Sequence, residues 1–308
     1  MTEEALACNC TGIRSCLLCN KYSSSSTNHN TQIQYYWFCP SCGKMFNGSI
    51  QIPPSDAIEH SNAFYNWCQL HEDNTPSQLQ IEGIHITQAF VTSEEERALV
   101  TGIDEGEWKL SQSGRRKQDF GPKANFKKRK VKLGSFNGFP SYTEKLIGKL
   151  PTNERLNEFT PVELCNLEYT PERGSSIDPH IDDVWLWGDQ LVTLNLLDTT
   201  ILTLSKAPTP NSGLEKVTSS NHGLNTVQTS NCVLEEVQIP LVRRSLFVLD
   251  GEARYKWMHS IKRDDINDRR LAMTFRNLSL EILRDLKSKD IVMQIQEISK
   301  SFEGTVAL

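Results

Sequence analysis

No stretch of the sequence approaches the roughly 18 consecutive apolar residues that a membrane-spanning helix needs, so no such span is expected. Positive charge is not in excess either. Lys and Arg number 33 against 38 Asp and Glu, for a net charge of −5. That balance argues against indiscriminate binding to nucleic acid and leaves only a local basic patch for such a role. Met1 to Cys10 lacks the basic start and apolar stretch of a secretory signal, so the expected compartments are the cytoplasm and nucleus. Cysteine is scarce over most of the chain, with only Cys165 and Cys232 beyond position 68. The other seven crowd between Cys8 and Cys68. In a reducing compartment they read as metal ligands or small hydrophobes rather than disulfide partners.

What is present suffices for a sizeable core: 308 residues, 38% hydrophobic and 23% charged. The cysteine bias marks a module over residues 1–72, followed by a polar linker, Glu72 to Gln78, that carries Pro76. Thr92 to Thr101 predicts a helix, with Thr92 or Ser93 as its cap and Glu94, Glu95 and Glu96 in its first turn. Farther on, short apolar runs alternate with turn residues. They are Val162 to Tyr169, Gln190 to Leu197, Val233 to Ile239, Ser245 to Leu249, Tyr255 to Ile261 and Arg270 to Leu278. This pattern predicts a mostly β domain over residues 79–280, an antiparallel sandwich or barrel with flanking helices. Within it, Leu214-Glu-Lys-Val217, Leu224-Asn-Thr-Val227 and Leu234-Glu-Glu-Val237 recur every ten residues. Three short copies are too few for a solenoid, and 205–231 reads as a surface insertion between strands. A helical extension is expected over 281–308.

The chemistry concentrates in Asp178-Pro-His180-Ile-Asp182-Asp183. On a strand, side chains alternate faces, so His180 and Asp182 share one side and Asp183 takes the other. A His-x-Asp pair joined by a distant histidine is the facial triad of non-heme iron(II) oxygenases, which leaves coordination positions open. His259 is the best third ligand. The remaining histidines lie toward the N-terminus (His29, His60, His71, His85) or in the repeat region (His222). A lone His-x-Asp is more often a chance pair, so the triad needs a companion.

Arg270 and Arg276 provide one. Six residues apart, they share a face of the strand that Thr274 and Phe275 favour. Two inward guanidiniums are costly unless anions meet them, and a dicarboxylate such as 2-oxoglutarate supplies those anions. The bland alternative is a pair of exposed or salt-bridged arginines.

These residues together resemble the AlkB-like dioxygenases. The likeness rests on His180-x-Asp182, His259 and Arg270-x5-Arg276, and extends over Cys165-Asn166-Leu-Glu-Tyr169 and Arg244-Ser-Leu-Phe-Val-Leu. The Cys-rich start and the stretch from Asn166 to Trp187 are most similar to the subgroup of the fourth AlkB homologue of animals. The resemblance implies a double-stranded β-helix (jelly-roll) core that uses Fe(II), 2-oxoglutarate and O2. It implies that Arg270 binds the distal carboxylate of the cosubstrate, that Arg276 sits near its metal-proximal end, and that Tyr169 and Asn166 hydrogen-bond it. It further implies oxidative N-demethylation with release of formaldehyde, succinate and CO2. The substrate would be methylated protein lysine, actin by resemblance, or N6-methyladenine in DNA. A catalytically silent metal-binding scaffold and a stable side-chain hydroxylase are the alternatives.

Cys16-x2-Cys19 and Cys39-x2-Cys42, separated by residues 20–38, have the spacing of a structural zinc site. Cys8, Cys10, Cys68 and His71 are candidates for a second. Residues 115–132 hold nine basic side chains against Asp119 alone, with Phe120 and Phe126 interleaved, and form the candidate DNA or partner contact. A solvated loop is the equal alternative. Trp257, two residues before His259, reads as a core residue that could line the pocket.

Overall fold

The computed structural model describes residues 17, 31–53, 65–72, 74–206 and 232–305. Its first strands are β1 (Thr31–Phe38), β2 (Met45–Asn47), β3 (Ile84–Thr87), β4 (Lys109–Leu110) and β5 (Arg116–Phe120). Next come β6 (Lys123–Asn125), β7 (Lys130–Lys132), β8 (Glu163–Tyr169), β9 (Ile177–His180) and β10 (Trp187–Leu196). The last are β11 (Thr200–Ser205), β12 (Cys232–Leu241), β13 (Leu246–Leu249), β14 (Met258–Ile261) and β15 (Arg270–Leu278). The α-helices are α1 (Ser93–Asp104), α2 (Glu144–Lys149), α3 (Gly251–Lys256), α4 (Leu280–Arg284) and α5 (Lys289–Ile298).

Two sheets carry the architecture. The first runs β2-β1-β12-β11-β14-β9 and the second β3-β13-β10-β15-β8-β5-β4, while β6 and β7 form a separate hairpin. Side-chain alternation in β15, a central strand of the second sheet, divides the interior. Leu271, Met273 and Phe275 face a core shared with Leu99 and Ile103 of α1. Arg270, Ala272, Thr274 and Arg276 face the other way, into a cavity between the sheets. Leu204, Val237, Ile239 and Ile261 of the first sheet meet Leu191, Phe247 and Leu249 of the second around that cavity.

Helix α1 begins where its sequence predicts. Thr92 and Glu95 form a capping box, each side chain satisfying the other's backbone N–H. Its buried Glu96 accepts from the Leu197 N–H at 2.8 Å and from Arg243 Nε at 2.8 Å, tying the helix to the sheet edge. Gly83 meets a closer constraint. With φ +95° and the Asp250 carbonyl oxygen 1.8 Å from where a Cβ would stand, only glycine fits.

Three expectations change in detail. The run 255–261 is not one strand, because α3 ends at Lys256 before β14 begins. The C-terminal extension is two helices, α4 and α5, rather than one, and both pack under Trp185 and Leu186. The Cys-rich segment contributes β1 and β2 to the first sheet, β1 pairing in parallel with β12 from Thr31↔Cys232 to Trp37↔Gln238. Most of the 205–231 insertion, residues 207–231, falls outside the described residues, as do the first two repeats and Cys16 and Cys19. No helix among the described residues is long and apolar enough to cross a membrane.

Candidate active site

Strands β9 and β14 pair with His180 directly opposite His259, which brings the two imidazoles to a centroid separation of 4.2 Å. The third group arrives differently from the sequence expectation. β9 ends at His180, so Asp182 lies in the following loop and not on a shared strand face. Its position comes from other contacts. Arg254 of α3, fully buried, donates from Nη1 to the Asp182 carbonyl (3.0 Å) and from Nη2 to that of Asp183 (3.3 Å). Arg276 Nε donates to Asp182 Oδ2 at 2.6 Å, and Arg276 Nη1 to Glu163 Oε2 at 2.6 Å. Asp182 Oδ1 is left facing His180 Nε2 at 3.4 Å and His259 Nε2 at 3.9 Å. One donor atom from each of the three residues falls within 4.8 Å of the others.

The surroundings suit a cation. His180 Nδ1 donates to the Asp178 carbonyl at 2.8 Å, which orients the ring with Nε2 inward. Burial, reinforced by His180, pushes His259 down to about 3, so its imidazole is neutral. Burial works to raise the Asp182 carboxyl, but Arg276 and the imidazoles outweigh it and hold the group well below the ordinary carboxylate range. Two imidazole nitrogens and one carboxylate on one side of a cation fit iron(II) with open positions.

The triad stands at one part of a cavity of about 70 Å³. At roughly 10–15 Å³ per water-sized sphere that is room for about five, the scale of a small organic acid. Arg270 lies in the same cavity, 2% exposed. Its Nε donates to Asn195 Oδ1 at 2.6 Å and its guanidinium lies over the Tyr169 ring, 4.8 Å from the centroid. Its Nη1 has no hydrogen-bond partner among the described residues. A buried guanidinium with a free donor directed into a polar-ended cavity fits an incoming carboxylate.

No protein-family model matches the chain. It is 38% identical to the human alpha-ketoglutarate-dependent dioxygenase alkB homolog 4, over 98% of this chain and 97% of that protein. Identity to the mouse protein of the same name is 37%, over 96% and 95%. The chain belongs to the AlkB family of dioxygenases. A Caenorhabditis elegans DNA N6-methyl adenine demethylase is 32% identical over 90% of this chain and 88% of its own length. This AlkB-family enzyme therefore works with Fe(II), 2-oxoglutarate (alpha-ketoglutarate) and O2.

Not every residue expected at the site of this dioxygenase reaches it. Tyr169 and Arg270 line the cavity together. Asn166 does not. It is three residues from Tyr169 along β8 and so points to the opposite face, where its Nδ2 donates to Gln118 Oε1 and Tyr142 Oη, both at 2.9 Å. The expected contact of Asn166 with the cosubstrate is therefore corrected to a structural role. Arg276 lines the cavity, yet Asp182 and Glu163 occupy its guanidinium, so it orients the Asp182 carboxylate rather than offering a free fork. Trp257 packs in the core among Leu204, Val237 and Ala253 and is not a lining residue. Asn195, Glu163 and Arg254 were not singled out from the sequence. Asn195 shares the face of Leu191 and Thr193, and its amide is the polar interruption of an apolar run that could have signalled it.

The Cys-rich and basic segments are also redistributed. Cys39 and Cys42 group with Cys68 and His71. Cys16 and Cys19, the expected partners, lie outside the described residues, as do Cys8 and Cys10. Of the basic stretch, Arg115 is buried, while Arg116 pairs with Glu168, Lys117 with Asp119 and Arg129 with Glu281. Lys127, Lys128, Lys130 and Lys132 stay exposed on the β6–β7 hairpin, beside exposed Phe126. Val131 of that hairpin packs with Trp185 and Leu186, just beyond the loop that holds Asp182.

Proposed function

We propose that this dioxygenase oxidatively removes N-methyl groups from methylated lysine in protein, releasing formaldehyde, succinate and CO2, with actin the target that the sequence resemblance implies. One observation carries the reading. Asp182 Oδ1 and two imidazoles converge in the same small cavity into which Arg270 directs an unpartnered Nη1. The two-sheet sandwich is read as the double-stranded β-helix of the family, its inner faces holding these groups.

Iron and cosubstrate supply the oxidation when bound: one atom of O2 ends in succinate, and the other hydroxylates the methyl carbon, which departs as formaldehyde. The chain's own residues bind and orient. His180, Asp182 and His259 would hold the metal, with Arg276 and Arg254 fixing Asp182 from its free oxygen and its backbone. Arg270 would take the distal carboxylate, backed by Asn195 and the Tyr169 ring. Leu191, Phe247 and Leu249 keep the remaining walls apolar and shed water from the reacting groups. The loop around Asp182 exposes Ile181 and Val184 beside Asp183, an apolar and acidic mix suited to an aliphatic ammonium group.

A second reading, N6-methyladenine demethylation in DNA, is favoured by the name of the C. elegans relative and by the lysine-bearing β6–β7 hairpin beside the same loop. The test is stoichiometric release of succinate and formaldehyde by the purified protein with Fe(II), 2-oxoglutarate and either a methyl-lysine peptide or an N6-methyladenine oligonucleotide. His180→Ala serves as the control. Formaldehyde from the peptide alone supports the protein reading, and formaldehyde from the oligonucleotide alone replaces it with the DNA reading. Equal succinate from native protein and His180→Ala would make the chain a silent scaffold.

A further inference from the structure

Cys39, Cys42, Cys68 and His71 stand outside the iron site and outside everything the demethylation chemistry uses. Their four donor atoms all lie within 4.8 Å of one another. Cys39 Sγ is 4.0 Å from Cys68 Sγ, His71 Nε2 is 3.3 Å from Cys39 Sγ, and Cys42 Sγ is 3.6 Å from His71 Nε2. Around a tetrahedral zinc, with bonds of about 2.3 Å to sulfur and about 2.0 Å to nitrogen, sulfurs stand about 3.8 Å apart and sulfur and nitrogen about 3.5 Å apart. The observed edges match those of one such tetrahedron. A Cys39–Cys68 disulfide needs about 2.05 Å between sulfurs, far less than the separation here.

Each half of the cluster has its own local scaffold. Cys39 closes β1 and begins a tight turn in which Gly43 N–H donates to the Cys39 carbonyl and Cys39 N–H to the Lys44 carbonyl, both at 2.9 Å. Cys68 lies in a turn of 3-10 helix, Trp67–Leu70, that the Asn66 side chain caps at its start and His71 follows as the C-cap. The His71 ring stacks on Phe46 at 3.8 Å, which holds its Nε2 toward the sulfurs. Ser41 joins the halves, accepting from the Trp67 N–H at 2.9 Å.

We infer that Cys39, Cys42, Cys68 and His71 form a closed structural zinc site, complete without Cys16 and Cys19, that fastens the Cys-rich segment to the sheet bearing the iron ligands. Three thiolates and one imidazole fill the tetrahedron and leave no open position, so this zinc builds structure and does no chemistry. The fastening has a visible path. Trp37, Cys39, Phe46 and Trp67 pack in one cluster with Ile201 of β11 and Val242 just after β12. β11 in turn pairs with β14, placing Leu204 opposite His259. The zinc ties residues 39–42 to 68–71 across the intervening 25 residues, and their shared core rests on the strand beside the iron ligand.

Full-length protein tests this directly. Elemental analysis should find one zinc per chain beyond the iron. After cobalt(II) exchange, an intense sulfur-to-cobalt absorption should appear, because the His180–Asp182–His259 site offers no sulfur. That absorption should survive His180→Ala and the double variant Cys16→Ser with Cys19→Ser. Cys42→Ser, at the exposed corner, should weaken zinc retention against a chelator at least tenfold, whereas His71→Cys should keep the metal with a shifted spectrum. Absence of zinc and of the sulfur absorption in native protein overturns the inference. So does their loss in the Cys16/Cys19 variant, or full zinc retention in Cys42→Ser. Loss of demethylase activity with an unchanged zinc signal would count against the iron-site reading and leave this one standing.

Discussion

Arg276 donates through Nε to Asp182 Oδ2 at 2.6 Å, and the other carboxylate oxygen, Oδ1, is the one that faces His180 and His259. The arginine thus divides the carboxylate into one held atom and one available atom. An HxD motif whose aspartate has left its strand needs this hold, because backbone alternation no longer aims the side chain.

Replacing Arg276 with Met should therefore weaken iron(II) binding about 10- to 100-fold, the usual range for losing a partner of a metal ligand. It also leaves Asp182 and Glu163 without their shared cation, at a cost of about 3 kcal/mol in metal-free stability. Equilibrium metal titration and urea unfolding measure the two effects separately.

Arg270→Met should behave in the opposite way without ligand. Among the described residues Nη1 of the buried guanidinium meets no acceptor, so an apolar side chain of similar volume should leave metal-free stability equal or higher. The cost appears with the cosubstrate. The KM for 2-oxoglutarate should rise about 10- to 100-fold, reflecting the loss of a charge-assisted hydrogen-bond pair. Native protein should gain about 2.7 kcal/mol at 100 times the dissociation constant of 2-oxoglutarate, and the variant should not gain it at that concentration.

Much of this was legible because strand alternation is a strict period. Arg270 and Arg276, an even distance apart, do share the cavity face, and Leu271, Met273 and Phe275 do take the other. The same rule bears on Asn166, an odd distance from Tyr169, which a motif resemblance had placed beside it. Contacts made by loops carry no period. Asp182 is brought to the two imidazoles by Arg276 and Arg254, 94 and 72 residues away in sequence, and no local pattern announces either. The four-donor cysteine group was hidden for another reason. Equal CxxC spacings suggested pairing Cys39 with Cys16, which lies outside the described residues, whereas Cys68-x2-His71 repeats no such spacing and yet meets the Cys39–Cys42 turn.

Asn166→Ala checks that correction. Loss of its bonds to Gln118 and Tyr142 should cost about 1–3 kcal/mol of stability by thermal or denaturant unfolding. The KM for 2-oxoglutarate should not move. A rise comparable to that of Arg270→Met would return Asn166 to the cosubstrate.

The hairpin lysines separate the two substrate readings. With Lys127, Lys128 and Lys130 changed to Ala, the slope of log affinity for DNA against log salt should fall by at most about 2.7, from about 0.9 per phosphate contact. Turnover of a methyl-lysine peptide should be unaffected. An unchanged slope removes the hairpin from DNA binding.

The proposed activity requires a single ferrous site shared by three protein ligands and a cosubstrate held by Arg270. Its most direct measurement needs no methylated substrate: anaerobic addition of Fe(II) and then 2-oxoglutarate to the purified protein, followed by visible absorption. A charge-transfer band should appear and saturate at one iron and one 2-oxoglutarate per chain. That band should be absent in Asp182→Ala and His259→Ala, and should need far more 2-oxoglutarate in Arg270→Met. A band of equal strength in Asp182→Ala or His259→Ala, or none in the native protein, would contradict it.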